Sequence, residues 1–316
     1  MNHEGSLQTL LKKGEATLNR HLLGKPQVVQ LALVGLLAEG HLLIEDIPGV
    51  GKTTLAKSLA ALFDLKVRRL QFTSDLLPAD VLGISLYRQK EERFVFQSGP
   101  IFANILLADE INRANPKTQS ALLEAMGERQ VSLDGRHLPL PRPHFVIATQ
   151  NPVEHRGTFP LPLAQLDRFH LCLPIGYPSE TEEMRIISTM DGYHWTPPQA
   201  LFSKDALIAM QEEVRAIHVD PEIVSYIYRL VRFTREHPEL SLGISPRGGQ
   251  TLFRCAQAMA YVQQRTFCIP DDVTAVCPYV FAHRLQKQGE LRTFVQQKSS
   301  GSTFFHGLFQ AVPGAL

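Results

Sequence analysis

No run of this chain is long and apolar enough to cross a bilayer, so a helical membrane span is not expected. The segment Met1 to Gln8 is polar and lacks the apolar core of a signal peptide. Charge of one sign is also missing. The formal net charge is +1, which leaves no global basic field to hold nucleic acid and no acidic tail, although a local basic stripe stays open. Cysteine is scarce. Cys172, Cys255, Cys268 and Cys277 show no CxxC pairing and no metal-ligand spacing with histidine. They read as reduced core thiols of a cytoplasmic protein. The histidines show no HExxH-like spacing. Internal repeats and low-complexity tracts are absent. The single tryptophan, Trp195, is expected to pack a domain junction.

What is present is apolar sequence in short, ordered pieces. A 316-residue chain with 44% hydrophobic residues can bury a large core and is expected to form more than one domain. Strand-like and helix-like segments alternate in the first half, which predicts a mostly parallel sheet with helices on both faces. His41 to Glu45 reads as a strand and Thr53 to Phe63 as a helix. Lys66 to Phe72 and Ile105 to Asp109 follow as strands, the second apolar enough to be buried on both faces. Lys117 to Arg129 is helical, His144 to Thr149 a strand, Leu163 to Phe169 a short helix and His170 to Pro174 a final strand. From about Glu180 the strand signals thin out. Phe202 to Ile217, Pro221 to His237, Pro246 to Gln264 and Pro270 to Gln286 carry helical periodicity. Proline and glycine cluster near Tyr177–Ser179, which sets a boundary between an α/β domain, residues 1–178, and a helical domain, residues 179–316. The tail after Ser299 takes no assignment.

Two motifs carry chemistry. Asp46-Ile-Pro-Gly-Val-Gly-Lys-Thr-Thr54 lies between an apolar strand and an amphipathic helix. Glycines let a backbone wrap phosphate oxygens, and a helix start offers them its positive end. Gly49 and Gly51 supply that freedom. Lys52 brings a charge to the β and γ phosphates, and the Thr53 hydroxyl suits Mg²⁺. Pro48, Val50 and Thr54 complete the loop. The strict GxxxxGK[ST] pattern is broken by Asp46 at the first glycine position. The strand–loop–helix context argues against a chance glycine turn. The second motif is Asp109-Glu110, at the end of the buried strand. One carboxylate there can hold a Mg²⁺ shell and the other can orient and deprotonate a water. Following a P-loop at this distance, the pair is unlike two ordinary surface acids. An NKxD element, the mark of small GTPases, is absent.

At this point the chain resembles the AAA+ ATPases and, within them, the MoxR family in the helix-2-insert branch. The resemblance covers roughly Gly24 to Leu285. Its most specific stretch is Asp109-Glu-Ile-Asn-Arg-Ala-Asn-Pro-Lys-Thr-Gln-Ser-Ala-Leu-Leu-Glu-Ala-Met-Gly-Glu-Arg-Gln-Val131. Ala148-Thr-Gln-Asn-Pro152 and Leu161-Pro-Leu-Ala-Gln-Leu-Asp-Arg-Phe169 match further motifs, with Leu163 where the family usually has Glu. By this resemblance Asn151 is the sensor 1 residue and Arg168 the arginine finger offered to a neighbouring subunit. Arg247, in Gly243-Ile-Ser-Pro-Arg-Gly-Gly249, is the sensor 2 arginine. A cation so close to the start of a helix opposes the helix dipole and invites a phosphate. Gly83 to Ser98 and Gln130 to Leu140 have hairpin patterns, the second around Asp134-Gly135, and match inserts that family members project toward a ring pore. His155 and Arg156 follow sensor 1 on a polar loop, read as solvated.

The resemblance implies an α/β P-loop AAA+ core, its parallel sheet flanked by helices, followed by an all-helical lid. It implies ATP and Mg²⁺ as ligands, with Lys52, Thr53 and Asp109 holding them, Glu110 as base and Asn151, Arg168 and Arg247 assisting. It further implies a ring, expected to be hexameric, with protein clients and a partner carrying a von Willebrand factor A domain. A magnesium-chelatase-like motor subunit, a DNA-remodelling AAA+ ATPase and a nucleotide-binding switch with little turnover stay open as alternatives. Neither membrane nor nucleic acid is an expected partner.

Overall fold

The structure, a computed structural model, describes residues 6–47, 49–151, 157–188, 196–289 and 298–314, with backbone alone for 298–302. Two helices precede the first strand, in a stretch where patterning supplies no element. α1 (Leu7–His21) starts at Ser6, whose hydroxyl accepts from the Thr9 amide at 3.3 Å. α2 (Pro26–Leu37) opens on proline and is buried at nearly every position after Gln27. A helix that is apolar on all sides has no stripe for periodicity to find, which is why the sequence hides it.

The α/β region then follows the expected order. It contains β1 (Leu42–Glu45), α3 (Lys52–Leu62), β2 (Val67–Gln71), α4 (Pro78–Leu82) and the hairpin of β3 (Gly83–Arg88) and β4 (Arg93–Ser98). Next come β5 (Ile105–Asp109), α5 (Pro116–Glu128), a second hairpin of β6 (Gln130–Leu133) and β7 (Arg136–Pro139), β8 (Phe145–Gln150), α6 (Leu163–Leu166) and β9 (Leu171–Leu173). Five strands form one parallel sheet in the order β2-β5-β8-β1-β9. β1, β5, β8 and β9 are buried at every residue, because helices cover both faces. Alternate residues of β1 divide between two cores: Leu42 and Ile44 join the cluster under α1, α2 and α3, while Leu43 joins the one under α4 and α5.

Both hairpins form. In the second, Asp134 and Gly135 have φ of 48° and 72°, the paired positive values that a two-residue Asp-Gly turn requires. In the first, pairing runs from Gly83↔Ser98 to Arg88↔Arg93, and Tyr87 and Phe94 pack ring to ring with centroids 5.2 Å apart.

The second half of the chain comprises α7 (Glu180–Ser188), α8 (Lys204–Arg215), α9 (Pro221–Glu236), β10 (Leu240–Leu242), α10 (Pro246–Val262), α11 (Pro270–Phe281), β11 (Gln286–Lys287) and α12 (Lys298–Ala311). Proline stands in the first turn of α9, α10 and α11, where its missing amide costs nothing. The lid is helical, with one addition to the expectation: β10 and β11 pair antiparallel, Leu240↔Lys287. The unassigned tail is α12, held by the buried Phe305, Leu308 and Val312. The core under α1 and α2 continues without a break into the lid, and Phe63 stacks on Phe202 with centroids 5.1 Å apart. Polar ties cross the same junction. Gln211 Nε2 donates to the Leu36 carbonyl at 2.9 Å, and the nearly buried Glu39 gathers Arg129 at 3.0 Å and Arg215 of α8. Trp195 lies outside the described residues, and no described helix is long and apolar enough to cross a membrane.

Candidate functional site

The carboxyl ends of β1, β5 and β8 lie side by side, and each delivers one part of a site. Such ends, where loops diverge from a parallel sheet, are where α/β proteins form crevices. Gly49 and Gly51 adopt φ of 86° and 97°, left-handed values that side chains rarely take. A Cβ on Gly51 would also meet Leu22 Cδ1 at 2.8 Å. The loop therefore turns sharply into α3, whose first residue is Lys52. Gly49, Gly51, Lys52, Thr53 and Thr54 line a cavity of about 340 Å³. Asp109, Glu110 and Asn151 line the same cavity. Val50 instead packs against the hydrophobic core and does not line this cavity. Pro48, His155 and Arg156 lie outside the described residues.

Lys52 Nζ donates to the Asp46 carbonyl at 2.5 Å. Burial lowers its pKa from the ordinary lysine value, and Asp46, Asp109 and Glu110 work in the opposite direction. The acids are equally engaged. Asp109 Oδ2 accepts from Arg69 Nε at 2.6 Å, and Oδ1 accepts from the Thr149 hydroxyl at 3.3 Å. Glu110 stands at φ 56° and ψ 48°, a left-handed conformation uncommon outside glycine. Its amide donates to Thr149 Oγ1 at 2.9 Å, and Oε2 accepts from Gln71 at 2.7 Å and Arg113 at 2.9 Å.

Four of these partners escape sequence reasoning. Arg69 and Gln71 lie two residues apart on β2, with Gln71 in register with Asp109. Period-two spacing puts them on one face, but only the strand order tells that this face meets the acids. Thr149 and Arg113 sit inside quoted motifs without a role of their own. Asp46, which breaks the P-loop pattern, turns out to be a staple. Its buried carboxylate accepts from the amides of Ile47 at 2.8 Å, Ile175 at 2.6 Å and Gly176, tying the loop to the exit of β9. The most specific sequence stretch has a structural task as well. Buried Gln119 donates to the carbonyls of Ile111 and Ala114 at 3.1 Å and of Phe159 at 2.9 Å. It fastens the segment after Glu110 to the segment after Asn151.

Arg168 and Arg247 are not in this cavity. They line a second one of about 850 Å³ between α5 and the lid helices α9 and α10, together with Arg129, Arg235 and Arg254. Arg168 donates to the Leu123 carbonyl at 2.5 Å and lies across Gly127, where a Cβ would sit 2.6 Å from its NH1. Arg247 follows Pro246 in the first turn of α10, whose N-cap Ser245 accepts from the Gly248 amide at 3.1 Å. His41 and His170 also line this cavity, and desolvation lowers the pKa of both rings, that of His170 to about 3. No cluster of metal-ligating side chains occurs among the described residues.

The strand order, the glycine loop after β1 and the acid pair ending β5 define a P-loop ATPase fold with a helical lid. Residues 41–171 match the ATPase family associated with various cellular activities (AAA), and residues 232–300 match the AAA lid domain. The protein YeaC of Bacillus subtilis, itself uncharacterized, is 46% identical over 295 residues, 92% of each chain. Chaperone MoxR1 of Mycobacterium tuberculosis is 44% identical over 286 residues, 87% of this chain and 75% of its own. A solved protein from Cytophaga hutchinsonii, provisionally described as an ATPase, superposes with a TM-score of 0.87 at 31% identity, covering 98% of this chain and 96% of that one. The chain belongs to the MoxR family of AAA ATPases.

Proposed function

We propose that the chain hydrolyses ATP with Mg²⁺, as one subunit of a ring of the hexameric kind expected for the family. The observation that carries this reading is the gathering of four residues around one cavity: Lys52 and Thr53 from the start of α3, Asp109 and Glu110 from the end of β5. The donor set suits a divalent cation. Thr53 and Asp109 offer oxygens, and Asp109 already draws a cation, Arg69 Nε at 2.6 Å. With Mg²⁺ held there, the ion would offset charge on the phosphate oxygens. The chain's own groups do the rest. Lys52 and the amides of the loop bind the phosphates, Glu110 takes the proton of the attacking water, and Asn151 orients that water.

Arg168 and Arg247 line a different cavity from the P-loop, which supports their acting on the nucleotide of a neighbour. We assign Arg168 as finger and Arg247 as γ-phosphate sensor on that basis. The division into a core of residues 1–178 and a lid of residues 179–316 belongs to the same reading, as does the helix-2-insert branch, favoured by the β3–β4 hairpin after α4. The name of the mycobacterial relative favours a chaperone-like role in remodelling or maturing protein complexes. Protein clients and a von Willebrand factor A partner rest on the family resemblance alone. The buried free thiols suit a cytoplasmic setting.

The test is Glu110→Gln. Removing the base while keeping the amide in place should leave ATP affinity unchanged by calorimetry and lower kcat by about 10²-fold or more. A kcat within a few-fold of wild type would remove Glu110 from the role of base.

A further inference from the structure

Outside the nucleotide cavity, the most heavily bonded side chain among the described residues is Arg284, just beyond α11. It is 4% exposed, and its guanidinium directs most of its bonds to the short segment Asp167–His170. Nε donates to Asp167 Oδ1 at 2.6 Å. NH2 donates to the Asp167 carbonyl at 3.2 Å and the Phe169 carbonyl at 2.6 Å. NH1 reaches the His170 carbonyl at 3.4 Å, the Val280 carbonyl and His283 Nε2. His283, also fully buried, lies with Nε2 3.0 Å from the Phe169 carbonyl. The residues so gripped, Asp167 and Phe169, are those on either side of Arg168.

The same knot reaches the other arginine. Asp167 Oδ2, the oxygen that Arg284 Nε leaves free, accepts from the Ser245 hydroxyl at 3.4 Å. Ser245 caps α10 and so fixes the turn that carries Arg247. Gly248 in that turn lets the backbone lie against the Arg284 stem: a Cβ there would meet Arg284 Cδ at 3.3 Å and Ile244 Cγ2 at 2.7 Å. One buried guanidinium thus bonds the backbone on both sides of Arg168 and, through one carboxylate, the cap of the helix that bears Arg247. A buried ion pair of this kind is weak support for stability alone, since apolar residues of similar volume often serve the fold as well. Directional bonds to the backbone on both sides of Arg168 and to the cap of α10 give such a pair a further role, holding two groups in a fixed relation.

We infer that Arg284 is a positioning residue, which acts through Asp167 and Ser245 to hold Arg168 and Arg247 as one rigid unit for presentation to a neighbouring subunit. This inference rests on the proposed ring, in which both arginines act in trans. Arg284 itself touches no nucleotide. Its loss should therefore leave the subunit's own P-loop cavity intact and spoil only the face offered to the next subunit.

The test uses the full chain with Arg284→Met and with the double variant Asp167→Asn/Arg284→Met. The double variant leaves no unpaired buried charge and keeps the experiment informative if the single variant fails to fold. Three quantities are read: ATP affinity by calorimetry, kcat and KM of the homomer, and phosphate release after mixing with Glu110→Gln subunits. The expected result is native affinity, KM close to wild type and kcat lower by about 10- to 100-fold, the scale on which small misplacement of a catalytic group acts. Mixing with Glu110→Gln should restore turnover, because each neighbour then presents a native Arg168 and Arg247 to an intact Glu110. Wild-type kcat in the folded double variant would overturn the inference, as would loss of ATP affinity or absence of rescue. Arg168→Ala mixed with Glu110→Gln is run alongside. If that control recovers and the Arg284 variants do not, the positioning role fails and the ring reading stands. If the control also stays inactive, the ring reading fails and the positioning role with it.

Discussion

Lys52 is the cation on the P-loop wall of the nucleotide cavity, and burial already lowers its pKa. Lys52→Ala should abolish tight ATP binding, because no other side chain of that loop offers a charge-assisted bond to phosphate. Unchanged affinity by calorimetry would contradict the site assignment. Asp46 makes a finer case. From sequence it is a flaw in a motif. In the fold its carboxylate collects three backbone amides, two of them at the start of the lid connection. Asp46→Ala leaves those amides without their acceptor, at a cost of about 2–4 kcal/mol in stability by denaturant melting. The same change should weaken ATP binding, because the lost carboxylate bonds no longer fix the backbone whose carbonyl holds Lys52 Nζ. Native stability in Asp46→Ala would mean that water replaces the carboxylate and that the staple is incidental. Arg69 and Gln71 complete the residue picture. Arg69 Nε and Gln71 Nε2 donate to Asp109 and Glu110, so β2 helps hold both acids in place.

At the scale of elements, legibility follows amphipathicity. The strands β1, β5 and β8, the helix α5 and both hairpins could be read because each has a period, a run of apolar residues or a turn signal of its own. α2 could not, because it is buried all round. α12 could not, because Gly301, Gly307 and the serines around them blur its periodicity. The cavity residues were legible from motif spacing, but their pairing with β2 depends on strand order, which sequence does not print. The buried histidines were illegible for a similar reason. His144 and His170 read from sequence as the first residues of strands with nothing to mark their surroundings, yet burial lowers their pKa to about 4 and about 3. His41 lies between them, with ring centroids 5.8 and 6.3 Å away. The sign of the consequence is fixed. The unfolded chain protonates these rings near the ordinary histidine value and the native chain does not, so unfolding takes up protons below that value. Stability is full above about pH 6.5 and falls as the pH is lowered toward 4 for His144 and toward 3 for His170, by up to about 1.4 kcal/mol per pH unit for each ring. Denaturant melts between pH 6.5 and 5 should show this slope, and His144→Asn should reduce it. A flat profile in wild type would contradict the buried neutral rings.

For the whole molecule, the division of labour between two cavities matters most. Lys52, Asp109 and Glu110 line one, while Arg168 and Arg247 line another. In the proposed ring, a subunit built this way would be half of two sites. Arg168→Ala and Glu110→Gln should each be inactive as homomers, for opposite reasons. One lacks the group it offers, the other the group it keeps. Glu110→Gln is the better companion than a P-loop variant, because it should still bind ATP and assemble. In a mixed ring, an Arg168→Ala subunit keeps its own Lys52 and Glu110, and a Glu110→Gln neighbour supplies the missing arginine. A finger can contribute about 10³-fold or more in rate, so a few rebuilt sites should rise well above background. The decisive measurement is phosphate release from co-assembled mutants across mixing ratios, with mixed rings verified by mass. The expected result is a curve that peaks between two inactive ends. A straight line between those ends would contradict the shared site.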